Sequence, residues 1–326
     1  MTEEQQALRD AIREVLGGPA EDAWAGLTEV GVFGLAVPDN LGGAGGTLAE
    51  AAIAIAETGR VLLPLPVLST TLAGAVLAEA ATDNAIAAGL LPDIAAGKTQ
   101  VAFVCTGDIE YSDGRLHGTA DHVLDGAAAQ LLLVLAGQQV LAVDEAHCVK
   151  SEMRALDETR PQATVRFDRA AAARTGADAR RAQDLLWVLL AVESAAAAEH
   201  CLDTTVAYLM TRVQFGRPLA GFQALRHRCA DLAVEVAAAR ATAWAAVERP
   251  GELAALAKLY CTGVFWRVAA EMVQLHGGIG FTWEHPAHRY LKRAKSSQLL
   301  HGTPSELRRL IGERAGLRLT AQVMFA

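Results

Sequence analysis

Arg212–Gln223, RVQFGRPLAGFQ, is the stretch on which the reading of this chain turns. It ends one long apolar helical pattern and starts another, in which Phe222, Leu225, Cys229, Leu232 and Val236 recur every three or four residues. Gly216 and Pro218 break the pattern between them, so the junction is a rigid corner carrying cationic and amide donors. A guanidinium projecting from such a corner, as Arg212 would, suits a bidentate clamp on phosphate oxygens. The alternative is a helix C-terminal cation paired with a surface acid.

Working outward, the helical period starts at about Ala177 and persists to Arg318, the pattern of a four-helix bundle over 177–326. Before it, residues 99–176 hold short β-prone runs such as VAFVCTG, QLLLVLAG, QQVLAV and ATVRFD, separated by Gly and Asp, which predicts a small antiparallel β domain. Residues 1–98 are again helical, with Leu8, Ile12 and Leu16 on one face. Their interruption, AVPDNLGGAGGT (Ala36–Thr47), reads as a surface loop, since no strand leads into it as a phosphate-cradling loop would require. The predicted class is α+β: helical domain, β domain, helical bundle.

Two later segments bear on chemistry. In QLHGGIGF (Gln274–Phe281), Gly277, Gly278 and Gly280 would let a ligand approach the backbone and Gln274 could hydrogen-bond it, although a helix C-cap and turn would look the same. LLHGTPSELRRLIGER (Leu299–Arg314) places His301 and Thr303 ahead of the last helical pattern. His285 and His288, with Glu284, have a spacing that a metal could use. Pro286 between the histidines, and the adjacency of Glu284 and His285, favour surface or interfacial histidines, so no metal site is expected.

Composition excludes several classes. With 52% hydrophobic and 20% charged residues in 326, the chain can build extensive cores. A net charge of −8 without a basic face speaks against nucleic-acid binding. Cys105, Cys148, Cys201, Cys229 and Cys261 lack zinc-ligand or disulfide spacing, so reduced, mostly buried thiols are expected. The acidic, polar start and the lack of an uninterrupted apolar run of about 18 residues predict a cytoplasmic protein without membrane insertion.

Together the three segments resemble signatures of the acyl-CoA dehydrogenase family. The spacing R-x-x-F-G-R-P-x-x-x-F-Q is similar to the family segment whose arginine, phenylalanine and glutamine hold the pyrophosphate and adenosine half of FAD, here Arg212, Phe215 and Gln223. In that family they act on the flavin of the neighbouring subunit across a dimer interface. The second segment resembles the family's Q-x-x-G-G-x-G-F adenine-side loop, giving Gln274, Gly277 and Gly278, and Thr303 stands in the family's Gly-Thr pair. Stretches of the N-terminal and middle regions, AGLTEVGVFGLAVPDNLGG, ETGRVLLPLPV and LDETRPQATVRFD, extend the resemblance over essentially the whole chain.

The departures are as specific as the matches. Where the family commonly carries Y-E-G-T, with the glutamate removing the substrate α-proton, this chain has Leu300, His301, Gly302 and Thr303. A second branch places its glutamate in D-x-E-R, which aligns with Asp184, Leu185, Leu186 and Trp187, so only the aspartate is kept. The family's T-E-P-x-A-G-S-D and W-I-T segments, which contact the flavin ring, are replaced by VAFVCTGDIEYSDG and ADHVLDGAAA.

The resemblance therefore implies an acyl-CoA dehydrogenase subunit holding one end of an FAD shared with a second, similar chain, as in the shortened subunits of actinobacterial heterotetrameric enzymes, some of which act on sterol side-chain thioesters. Acyl-CoA would be the substrate and electron-transfer flavoprotein or a similar acceptor the redox partner. Two alternatives stay open: a self-sufficient homomeric flavoenzyme with His301 as base, and a cofactor-free scaffold. His301 could also simply fill the vacated cavity.

Overall fold

Thr2 opens the first helix through a reciprocal cap: its hydroxyl accepts from Gln5 N at 3.2 Å and its own N–H donates to the Gln5 side chain at 3.0 Å. The computed structural model describes residues 1–317. Helices α1 (Glu3–Leu16), α2 (Ala23–Glu29), α3 (Leu48–Arg60), α4 (Val67–Ala80) and α5 (Ala85–Ala95) make the N-terminal region. Every residue of α4 from Val67 to Leu77 is buried, so it is the core rod around which the others pack. The glycine-rich stretch before α3 is a loop. A Cβ on Gly43 would lie 2.0 Å from the Val37 carbonyl oxygen, so this glycine serves close backbone packing.

Eight strands follow: β1 (Val101–Val104), β2 (Asp108–Ser112), β3 (Arg115–Leu124), β4 (Leu131–Ala136), β5 (Gln139–Asp144), β6 (Cys148–Met153), β7 (Gln162–Ala171) and β8 (Ala173–Asp178). They form two four-stranded sheets, ordered β1-β4-β5-β8 and β2-β3-β7-β6. The alternation of side chains along a strand explains why the first sheet is apolar on both faces. Ala102, Val104, Leu132, Val134, Leu141 and Val143 face the second sheet, whereas Val101, Phe103, Leu131, Leu133, Val140 and Ala142 join the helical core. The expected antiparallel domain is in fact mixed. β1 pairs with β4 in parallel, Val101 opposite Leu131, because the β2–β3 hairpin carries the chain to the other sheet and back between them. A run buried on both faces does not encode strand direction.

The strands extend to Asp178, two residues past the expected boundary, and Asp178 caps the next helix by accepting from Arg181 N at 2.7 Å. The C-terminal region holds α6 (Ala179–Thr211), a two-residue hairpin of β9 (Val213–Gln214) and β10 (Arg217–Pro218), α7 (Gln223–Glu248), α8 (Pro250–His276), α9 (Ala287–Leu299) and α10 (Pro304–Arg314). α6 to α9 form the bundle and α10 packs on α8. The expected domain runs on to residue 326, of which 318–326 lie outside the described residues. α6 and α8 are long and apolar enough to cross a bilayer, yet 83% and 56% of their most apolar windows are buried inside the protein. Of the cysteines, Cys201 and Cys261 are buried and the other three half-buried.

A buried ion network joins strand loop to bundle. Arg293 on α9 donates to Asp157 Oδ2 at 2.7 Å, Glu193 Oε1 at 2.9 Å and the Thr159 carbonyl at 2.6 Å. Arg160 donates to Glu193 and, at 2.9 Å, to Ser297 Oγ. Each guanidinium is thereby paired with a carboxylate, the condition under which such charges persist in an interior.

Candidate functional site

The segment Arg212–Gln223 folds as a protruding hairpin. Arg212 caps α6, its N–H donating to the Tyr208 carbonyl at 2.9 Å. β9 and β10 then pair around Phe215 and Gly216, whose φ values of 54° and 76° give the left-handed two-residue turn that suits a hairpin's twist. Phe215 is 89% exposed. Arg212 and Gln223 are exposed too. Among the described residues the Arg212 guanidinium has no protein hydrogen bond or ion pair, so pairing with a surface acid is not what holds it. The sequence reading placed a loop here, and the Phe-Gly pair was the available signal for the turn.

The glycine segment lies at the same end of the bundle. Gly277 ends α8 at φ 64°, and nothing lies within 4 Å of where a Cβ on Gly277 or Gly278 would sit, leaving bare backbone open to a ligand. Gly280 differs: it packs under the loop, its Cβ position 2.8 Å from the Val273 carbonyl oxygen. Gln274 is exposed. Arg228 on α7 donates to Glu271 on α8 at 2.6 Å, fixing the start of α7 beside the end of α8. The structure thus brings Arg212, Phe215, Gln223, Gln274, Gly277 and Gly278 to one end.

The nearby histidines act as packing. His276 and His285 rings lie 4.3 Å apart, and burial pushes both imidazoles below their ordinary pKa. His285 Nδ1 accepts from Ala287 N at 3.2 Å, and His288 Nδ1 lies 2.9 Å from the His285 carbonyl. Among the described residues no group of three or more His, Cys, Asp or Glu side chains could hold a metal.

His301 and Thr303 lie elsewhere. Trp187 Nε1 on α6 donates to the His301 carbonyl at 2.6 Å, and Lys258 Nζ on α8 donates to the Gly302 carbonyl. Counting helix rise from these anchors, the 301–303 connection sits about 37 Å from Arg212 along α6 and about 28 Å from Gly277 along α8. Thr303 is the N-cap of α10 and its hydroxyl is engaged with Glu306, at 2.8 Å. Burial first, then the positive charges of Lys258 and Arg160, push the His301 imidazolium down to about 3. Asp184 accepts from Arg314 at 3.3 Å, and burial raises its pKa.

Sequence reasoning did not single out Lys258 or the Arg160–Glu193–Arg293–Asp157 network. For Lys258 a signal existed: it lies on the stripe of Ala254, Cys261 and Phe265, all buried, as a lone charge on an apolar face.

Comparison with known proteins defines the class. The profile for the acyl-CoA dehydrogenase N-terminal domain matches residues 17–98 and that for the C-terminal domain residues 187–316. Acyl-CoA dehydrogenase IpdE2 of Mycobacterium tuberculosis is 38% identical over 330 residues, covering 95% of this chain and 97% of that protein. The structure of the Tcur3481-Tcur3483 steroid ACAD G363A variant superposes with a TM-score of 0.87 at 25% identity, over 96% of this chain and 98% of that one. The ChsE4-ChsE5 complex from Mycobacterium tuberculosis matches in fold, with a TM-score of 0.85 at 22% identity over 98% and 99% of the two chains. This chain belongs to the acyl-CoA dehydrogenase family, whose members are FAD-dependent.

Proposed function

We propose that this chain is one subunit of a flavin-dependent acyl-CoA dehydrogenase, desaturating an acyl-CoA thioester between its α and β carbons, and that it supplies the adenosine and pyrophosphate side of a shared FAD site. A second, similar chain in a heterotetramer supplies the base and the ring contacts. The supporting observation is one-sided retention: the far-end residues are kept while position 301, where the resemblance puts the family's base, has no acid. The residues suited to the far end of a dinucleotide cluster at one end of the bundle, while position 301 lies about 28 Å away along α8 and carries no acid. One chain therefore presents half of a site.

The residues fit the group they would hold. Arg212 offers a guanidinium with no partner among the described residues for the pyrophosphate oxygens, Gln223 and Gln274 offer exposed amides, and Gly277 and Gly278 offer open backbone. When bound, the flavin would accept the hydride leaving the β-carbon. This chain's own part is positional: it anchors the end of the cofactor that does not react. In this reading the α-proton goes to the partner's base, since position 301 of this chain carries no acid and burial, with the charges of Lys258 and Arg160, lowers the basicity of the His301 imidazole. Neighbours described as complexes of two named components, ChsE4-ChsE5 and Tcur3481-Tcur3483, lend support to a partner chain. Electron-transfer flavoprotein or a similar acceptor would reoxidise the flavin, in the cytoplasm.

The test is the visible flavin spectrum, with stoichiometry per chain, of the protein purified alone and after co-expression with candidate partner chains. About one FAD per pair of chains, seen only in the complex, is the expected result. Full flavin occupancy in the lone chain would overturn the shared site in favour of a homomeric enzyme. A complex that assembles without flavin would leave a scaffold.

A further inference from the structure

The corner from Arg212 to Gln223 consists of two elements that one arginine ties together. The hairpin closes at its base, where Leu219 N donates to the Arg212 carbonyl at 2.8 Å, with Gln214 opposite Arg217 and Val213 opposite Pro218. A single turn, Leu219–Gly221, then leads to Phe222, and Gln223 begins α7. Arg217 spans the two: its guanidinium carbon Cζ lies 4.0 Å from the centre of the Phe222 ring, within the range of a cation–π stack. Phe215 meets the same ring edge-on, with centroids 6.1 Å apart and planes at 81°. The arginine stem runs along Gly221, where a Cβ would come within 3.3 Å of Arg217 Cδ. Arg217 is exposed, and among the described residues its guanidinium has no hydrogen bond or ion pair.

We infer that Arg217 is a positioning residue of the proposed half-site: by lying on Phe222 it sets the angle between the hairpin that carries Arg212 and Phe215 and the helix start that carries Gln223. The inference rests on the reading of this corner as the anchor for the adenosine and pyrophosphate end of FAD. Groups from two elements hold one ligand well when their spacing is fixed before it arrives, because ordering them on binding costs affinity. The strand pairing fixes the hairpin and the helix fixes Gln223. Between them, the backbone of the turn contributes the bond from Phe222 N to the Leu219 carbonyl at 3.0 Å, and Arg217 adds a brace from hairpin to helix start. Arginine suits that task, since its planar head stacks on a ring while its stem packs along the backbone. With no acid holding it, the head is free to take the ring as its seat.

The test uses the co-expressed complex and, separately, the chain alone. In the complex, Arg217→Met and Phe222→Leu should each raise the flavin dissociation constant about twofold to fivefold, the range for an exposed cation–π contact. The double variant should do no worse than either single one, because both remove the same contact. An effect of Arg217→Met without one of Phe222→Leu would overturn the inference by showing that the charge acts on the phosphates directly. Single effects that add would overturn it too. In the chain alone, the side-chain amide signals of Gln223 in a 15N spectrum should move in both variants, and signals unmoved in Arg217→Met would overturn the inference without any flavin. Should Phe222→Leu not fold, that spectrum of Arg217→Met decides by itself. Arg212→Ala separates the two readings. Flavin lost in Arg212→Ala and fully retained in Arg217→Met would remove the brace and leave the shared site standing. Flavin fully retained in both would remove the shared site, and this inference with it.

Discussion

Tyr208 stacks on His276 with ring centroids 4.3 Å apart, and its hydroxyl donates to the His276 carbonyl at 3.3 Å. The last turn of α6 and the last turn of α8 therefore form one platform, and the Arg212 hairpin and the Gly277 loop rise from it together. Removing the ring in Tyr208→Ala should cost on the order of 2 kcal/mol in lost stacking and hydrogen bonding. It should also reduce flavin retention in the complex. Tyr208→Phe should keep the flavin and cost only about 1 kcal/mol. Urea unfolding and flavin stoichiometry on the same samples check both.

Arg212 is exposed and without a protein partner among the described residues, so its loss should leave the fold unchanged. Arg212→Ala should weaken flavin retention about tenfold to a hundredfold, the worth of a charge-assisted clamp of about 1.5–3 kcal/mol. Equilibrium dialysis of the complex reads this directly. Unchanged retention would sink the assignment of Arg212 to the pyrophosphate.

Phe215 keeps a left-handed backbone and an almost fully exposed ring, two features that folding alone does not favour. Phe215→Gly should relieve the turn and leave the chain as stable or more stable, by up to about 1 kcal/mol, while flavin occupancy falls. A variant that loses stability and keeps its flavin would show that the ring serves the fold.

Arg293 sits in a buried network with Asp157 and Glu193. Arg293→Met leaves two interior carboxylates short of a cation and should cost about 3–5 kcal/mol. Denaturant unfolding should show this as a large drop in midpoint. A loss below about 1 kcal/mol, the level of a surface pair, would mean that Arg160 alone satisfies the network.

Asp125 is pushed up to about 6 by burial, partly offset by Arg160 and by Ser69 at 3.3 Å. Its folded pKa exceeds its unfolded one, so its contribution to stability is complete below about pH 4 and is lost as pH rises through 6. The term is on the order of 3 kcal/mol for a shift of about two units. Asp125→Asn should therefore flatten the pH dependence of unfolding between pH 4 and 6, and an unchanged slope would remove Asp125 as its source.

Local pattern carried much of this. The apolar period of α7 was legible from Phe222 to Val236, and the runs VAFV and LLLVLA announced strands, because side-chain periodicity is written residue by residue. The parallel pairing of β1 with β4 was not legible, since strands buried on both faces look alike in either direction. The engagement of Thr303 is written in the T-x-x-E spacing to Glu306, the pattern of a reciprocal helix cap.

The sequence by itself determined the order helix, sheet, bundle, and the contiguous motifs of the candidate site, because Arg212, Phe215 and Gln223 belong to one corner and Gln274, Gly277 and Gly278 to another. Tertiary structure alone decided that these two corners share one end, that His301 stands at the other, and that Lys258 reaches the Gly302 carbonyl. It also gathered Asp157, Glu193 and Arg293 across separations of 136 and 100 residues. The reason is physical. Such contacts depend on which face each long helix turns inward and how far it runs, quantities set by packing across the whole chain.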